Sequence, residues 1–256
     1  DEEGDRIPMP AEILLEHEIL SVLTDATDKT QKPFLKRVLE FKKRVESKLN
    51  PQSYFREILK RRVTETLFGC EKKKSDDLID LFRPVLKDED LIADIEFFYN
   101  NGGVWRTKTG VYFSNEENTH QCNMYQRAQN YEFPEDIMEE LLDYMYVQLI
   151  IEYLSSRSNP EHLSPVINRM SGLKKDIRKI FNTASGGTIW AETNFVVLNL
   201  NMVNLTMKKT LPLLMAKWAY SAKKMDKVPS TLHLIIDEAH NILSNTSFRE
   251  SESWKD

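Results

Sequence analysis

Two adjacent carboxylates, Asp237 and Glu238, follow the short and largely apolar run Leu232–Ile236. That run has the length of a strand, and ligands of an open parallel sheet bind beyond the carboxyl ends of its strands. Each acid then has its own use. The first can hold Mg²⁺, through a bound water, with the metal bridging the phosphates of ATP. The second points elsewhere and can orient or deprotonate the water that attacks the γ-phosphate. Apolar residues running into Asp-Glu make a Walker B pattern. A plainer reading has the pair open a solvated turn and cap the next helix. The whole stretch LHLIIDEAHNIL, preceded by a strand and a helix of fitting length, favours the catalytic reading. His240 reads equally as a contact to the γ-phosphate region or as a structural hydrogen-bonding residue.

The remainder of a phosphate site is not in the sequence. No GxxxxGK[ST] loop occurs. The nearest imitation, Gly102 to Thr109, has Lys108 and Thr109 in place but Thr107 where the second glycine belongs. It continues into Gly110 and a β-like Val111-Tyr112-Phe113, with no helix to offer its N-terminus to phosphate. The chain has no initiator Met and stops soon after its most informative motif. It therefore reads as a fragment, with the true phosphate loop expected before residue 1. Basic clusters at Lys36-Arg37, Lys42-Lys43-Arg44, Lys60-Arg61-Arg62 and Lys174 to Lys179 could meet DNA. Each has acids nearby, which favours solvated helical faces. Trp105, Trp190 and Trp218 read as core or domain-joint residues.

The elements that must position these groups follow from periodicity. Residues 30–49 carry Phe34, Leu35, Val38, Leu39, Phe41 and Val45 on one helical face. A second helix follows Asn50-Pro51, with Ile58, Leu59, Val63 and Leu67 on one side. Glu71 to Asp77 reads as a charged turn, and Asn100 to Gly103 as another. Val104-Trp105 and Val111 to Phe113 could pair as a small hairpin. Residues 114–132 read as a polar surface loop. Pro134 opens the clearest helix, and one more runs from near Pro160 to about Phe181. Past Ser185-Gly186-Gly187 the pattern becomes strand (194–200), helix (206–224, with Pro212 in its first turn or at a kink) and strand (232–236). That is a βαβ unit, which implies a parallel sheet.

Composition sets the outer limits. Apolar residues make up 41% and charged residues 29% of 256, a globular balance and not a disordered one. No apolar run approaches the roughly 20 residues a membrane-spanning helix needs. The acidic N-terminus is unlike a secretory signal, and Cys70 and Cys122 make no disulfide framework. The expected location is cytoplasmic, with inert thiols and no membrane. A net charge of −5 argues against tight charge-driven binding of nucleic acid by a lone copy. It leaves room for a basic lining in the pore of a ring.

TNFVVLNLNMVNLT, the helix through KWAY, LHLIIDEAHNIL and the tail RESESWKD together resemble the HerA/FtsK branch of P-loop motor ATPases, bacterial HerA-like proteins above all. The stretch RIPMPAEIL…TQKPFLKRVL and the helical block after it are similar to what that family carries between phosphate loop and Walker B strand. The resemblance covers nearly the whole chain and is most specific at residues 231–242. It implies a partial RecA-like α/β core with a large all-helical domain, mainly α in this chain. Residues 1–29 would connect from the core, 30–185 would be the helical domain, and 190–256 would return to the core with the Walker B strand. It further implies a hexameric ring that hydrolyses ATP with Mg²⁺ and moves DNA. The expected partner is a nuclease or a sirtuin-like NAD-degrading subunit, in antiviral defence or DNA processing. By motif, Asp237 is the Mg²⁺-site acid and Glu238 the catalytic glutamate. The family's phosphate-loop residues, sensor and trans-acting arginines have no match. A rival reading is a non-catalytic ring scaffold that assembles an effector, and another is a conjugation-type secretion ATPase. The string DEAH also names a helicase group, whose other motifs are not found.

Overall fold

The computed structural model describes residues 6–69, 71–99, 103–182, 195–201, 203, 205–225, 231–237 and 239. In chain order they form β1 (Ile7–Pro8), α1 (Ala11–Leu14), α2 (His17–Leu23), α3 (Gln31–Glu46), α4 (Pro51–Gly69), α5 (Lys72–Leu86), β2 (Ile95–Phe98) and β3 (Val104–Thr107). A 3-10 turn (Glu117–Gln121) then precedes α6 (Asn123–Gln129), α7 (Ile137–Leu154), α8 (Pro160–Ile180), β4 (Phe181–Asn182) and α9 (Leu205–Met225). Among the described residues helix accounts for 63% and strand for 6%, a mainly α composition with a small parallel sheet. Contacts divide it into two compact units, residues 24–175 and residues 1–23 with 176–256.

In the 24–175 unit the helices form where apolar side chains recur on one face. Phe34, Leu35, Val38, Phe41 and Val45 make the buried side of α3, and Phe55, Leu59, Val63 and Leu67 that of α4. The starts are chemically marked. Asn50 Oδ1 accepts from Ser53 N at 2.9 Å with Pro51 in the first turn of α4. Asp136 Oδ1 caps α7 by accepting from Met138 N at 3.0 Å and Glu139 N at 2.9 Å. Helix α7 is buried almost all round and packs against α3, α4 and α5. A helix in that position must find partners for every polar side chain it carries.

Two expectations are corrected here. Glu71 to Asp77 is not a turn: α5 begins at Lys72, and its charges sit on the outer side of a helix whose Leu78, Ile79, Phe82 and Val85 are buried. Lys72 Nζ and Asp76 Oδ2 pair at 2.5 Å one turn apart, as i,i+4 neighbours on a helix do. Residues 114–132 are not a surface loop either. Thr119, Cys122, Met124, Ala128 and Tyr131 are buried, and α6 packs against α4 and α5. The many Asn, Gln and Glu side chains there face outward and hide a narrow apolar stripe.

The small hairpin is wider than expected. β2 and β3 pair antiparallel from Ile95↔Thr107 to Phe98↔Val104, and Tyr112 bridges Arg106 on the other side of β3. Val111 to Phe113 therefore returns beside β3, and the preceding apolar stretch supplies β2. Asn100 to Gly102 lie outside the described residues.

In the other unit, β1 pairs parallel with β4 through Ile7↔Phe181 and Pro8↔Asn182. Helix α9 packs on α2 with Met207, Leu211, Leu214, Met215 and Trp218 buried. Lys217 Nζ reaches Glu16 at 2.6 Å and Glu18 at 2.5 Å. Pro212 lies in the interior of α9, well past its first turn. The expected strands are absent at the described positions: residues 195–200 and 231–236 belong to no strand. Phe195 is 75% and Ile235 86% exposed. A strand is held by the hydrogen bonds of a neighbour, and among the described residues no strand lies beside either run. The parallel pairing that does form joins β1 and β4 and not the two runs of the expected βαβ unit.

Candidate functional site

Asp237 stands exposed in a turn directly after residues 231–236. Glu238 and His240 lie outside the described residues. Among the described residues no group of three or more His, Cys, Asp or Glu side chains is placed to hold a metal ion. One exposed carboxylate is a donor set that fits a hydrated Mg²⁺, which keeps most of its waters and takes one or two carboxylates beside phosphate oxygens. It does not fit a metal that needs an all-protein cage.

The imitation phosphate loop has another task. A phosphate cradle needs backbone N–H groups free to point at the anion. Here Thr107 N donates to Val111 O and Lys108 N to Asp94 O, both at 2.9 Å, and Gly110 N donates to Thr107 O at 2.9 Å. Gly103 has φ 82°, and a Cβ there would collide with the Phe97 ring. Gly110, at φ 95°, turns the chain after β3. The glycines serve the hairpin. Lys108 is exposed at that turn. Lys108→Ala should therefore leave thermal stability within about 0.5 kcal/mol of the parent and leave ATP binding in the intact protein unchanged, as measured by melting and by nucleotide titration.

Several cations of the basic clusters pair with acids within the 24–175 unit. Arg37 forks onto Glu152, with Nε to Oε1 at 2.7 Å and Nη2 to Oε2 at 2.9 Å. Lys42 is buried and meets Glu46 and Glu140, each at 2.7 Å. Lys60 pairs with Glu57 at 2.6 Å, Arg61 and Arg62 both reach Glu65, and Lys174 meets Glu139 at 3.1 Å. Trp105 and Trp218 are buried, and Trp190 lies outside the described residues.

A buried polar array on α7 escaped the sequence reading. Its signal was present: past the first turn, Asp143, Gln148 and Glu152 interrupt a run of apolar and aromatic residues. Glu152 accepts from Arg37, from Gln148 Nε2 at 2.7 Å and from Ser158 Oγ at 2.6 Å. Burial works to raise its pKa, but the Arg37, Ser158 and Gln148 bonds outweigh that and hold it below the usual value. Asp143 accepts from the Tyr131 hydroxyl at 2.7 Å. Burial pushes its carboxyl up to about 7, against the opposing Tyr131 bond and the Lys87 charge. Burial also pushes the Tyr131 and Tyr144 hydroxyls upward. The Cys122 thiol is buried and pushed up to about 12, so it is no nucleophile at neutral pH. Cys70 lies outside the described residues. No helix among the described residues is long and apolar enough to cross a membrane.

Comparison of the chain with models of known families, with curated proteins and with solved structures returns no match.

Proposed function

We propose that this chain supplies the Walker B acids of an ATP-hydrolysing motor of the HerA/FtsK type, acting as a DNA-translocating homo-oligomeric ring, a hexamer by family resemblance. The observation that carries the reading is the run Leu232–Ile236 ending at Asp237-Glu238, with Asp237 facing solvent at a turn. Bound Mg²⁺ would neutralise phosphate charge. Asp237 would hold the hydrated ion, through one of its waters. Glu238 orients the attacking water and takes its proton. By its place in the motif, His240 would contact the γ-phosphate region. The backbone that cradles the phosphates comes, in this proposal, from polypeptide outside the described residues. The resemblance extends the proposal to a nuclease or sirtuin-like partner in antiviral defence.

The test is Asp237→Ala in the intact polypeptide. A carboxylate that acts through a metal-bound water is an outer partner of the ion, and its loss should weaken Mg²⁺-dependent ATP binding about 10–100-fold. Calorimetry with Mg·ATP, and with ATP in a chelator, separates the metal-dependent part. Equal affinity for parent and variant in both conditions would sink the assignment. Intact rings that bind no nucleotide would instead favour the scaffold.

A further inference from the structure

The link from α6 to α7 crosses the aromatic core of the 24–175 unit and is tied down at named points. Gln52 Nε2 and Arg56 Nε both donate to Tyr131 O, at 2.5 Å and 2.6 Å, and Phe133 N donates to Gln52 Oε1 at 3.2 Å. The Tyr131 and Phe133 rings each lie 5.0 Å from Phe55, and Phe133 stacks on Tyr144 at 5.9 Å. Beneath them the Tyr131 hydroxyl closes on Asp143, the two residues being 5% and 4% exposed.

The cations near Asp143 are engaged elsewhere. Lys87, at the end of α5, lies 3.8 Å from Glu139, and Lys174 of α8 pairs with the same carboxylate. Lys42 of α3 is held between Glu46 and Glu140. Arg56 of α4 is bonded to the Tyr131 carbonyl. On its own helix Asp143 faces Glu139 and Glu140, which repel a second negative charge, and its own charge bears on Tyr146. Tyr131 is the one hydrogen-bond partner recorded for the Asp143 side chain among the described residues. A buried carboxylate with one neutral donor and two acidic neighbours is costly to ionise.

We propose that residues 130–136 form a proton-linked clasp, closed over a neutral Asp143 acid and opening with release of that proton to solvent. In the proposed opening Tyr131 and Phe133 would leave the core together, breaking the Tyr131–Asp143 bond and hydrating Asp143. The direction follows from linkage. The closed form holds its proton up to about pH 7, whereas the open form loses it near the ordinary value of 3.8. The closed clasp is therefore fully favoured below about pH 4. Its opening constant rises about tenfold per pH unit from there to about 7 and then levels off. At neutral pH the clasp sits at the loose end of that range. The inference stands independently of the ATPase reading.

The experiment follows amide hydrogen exchange of residues 130–136 in the whole chain from pH 5 to 8, corrected for intrinsic exchange. The expected opening constant climbs about 10²-fold between pH 5 and 7 and is flat by pH 8. In Asp143→Asn, which keeps shape and stays neutral, it should not change with pH. A flat parent profile, or a variant as steep as the parent, overturns the proposal. Should Asp143→Asn fail to fold, the Asp143 carboxyl-carbon resonance of the parent decides. Titration near 7 supports the clasp, and titration below pH 5 overturns it.

Discussion

Glu238→Gln is expected to lower ATP turnover of the assembled protein by about 10²-fold or more while leaving Mg·ATP binding near the parent value. The amide has the shape of the acid and still accepts a hydrogen bond from water. What it cannot do is take the proton as oxygen attacks phosphorus, and that transfer is the share of catalysis assigned to Glu238. Asp237→Ala has the opposite signature, because it acts on the metal and so on affinity. The two variants therefore separate positioning of Mg²⁺ from activation of water. Phosphate release at saturating ATP is the measurement. Turnover at the parental rate in Glu238→Gln would mean that Asp237-Glu238 is a solvated turn and not a Walker B pair.

Phe55→Ala is expected to be the most damaging single change in the 24–175 unit, costing about 3–5 kcal/mol. Phe55 is fully buried on α4 and holds together parts of the chain far apart in sequence. Its ring lies 6.0 Å from Phe41 of α3, 5.0 Å from Tyr144 of α7, and 5.0 Å from both Tyr131 and Phe133. Truncation removes four ring contacts at one point and leaves a cavity, because neighbours fixed by three separate segments cannot collapse into it. Phe68, on the same helix but 46% exposed, is the internal control, and its change to Ala should stay within about 0.5 kcal/mol. Urea unfolding reads both: a lower midpoint at unchanged slope is expected for Phe55→Ala. A loss below about 1 kcal/mol would show that the aromatic cluster is not what joins these segments.

The sequence by itself determined the long helices. The stripes at 31–46, 51–69, 137–154, 160–180 and 205–225 are local, and a helix makes its backbone hydrogen bonds within its own segment. The Asp237-Glu238 motif was legible for the same reason: two adjacent residues and the run before them need no distant partner to be recognised. Its surroundings were not. Residues 195–200 and 231–236 have strand-like composition, but a strand exists only when another chain segment meets its backbone. The parallel pair that did form, β1 with β4, joins two dipeptides from opposite parts of the sequence with no local signal of their own. Only the tertiary structure decided that 114–132 is a packed helical segment, that Lys42 and Arg37 answer Glu140 and Glu152, and that the buried Asp143 is bonded by a tyrosine hydroxyl. Burial sets the dielectric around a charge and packing chooses its neighbours, and both are properties of segments brought together from far apart.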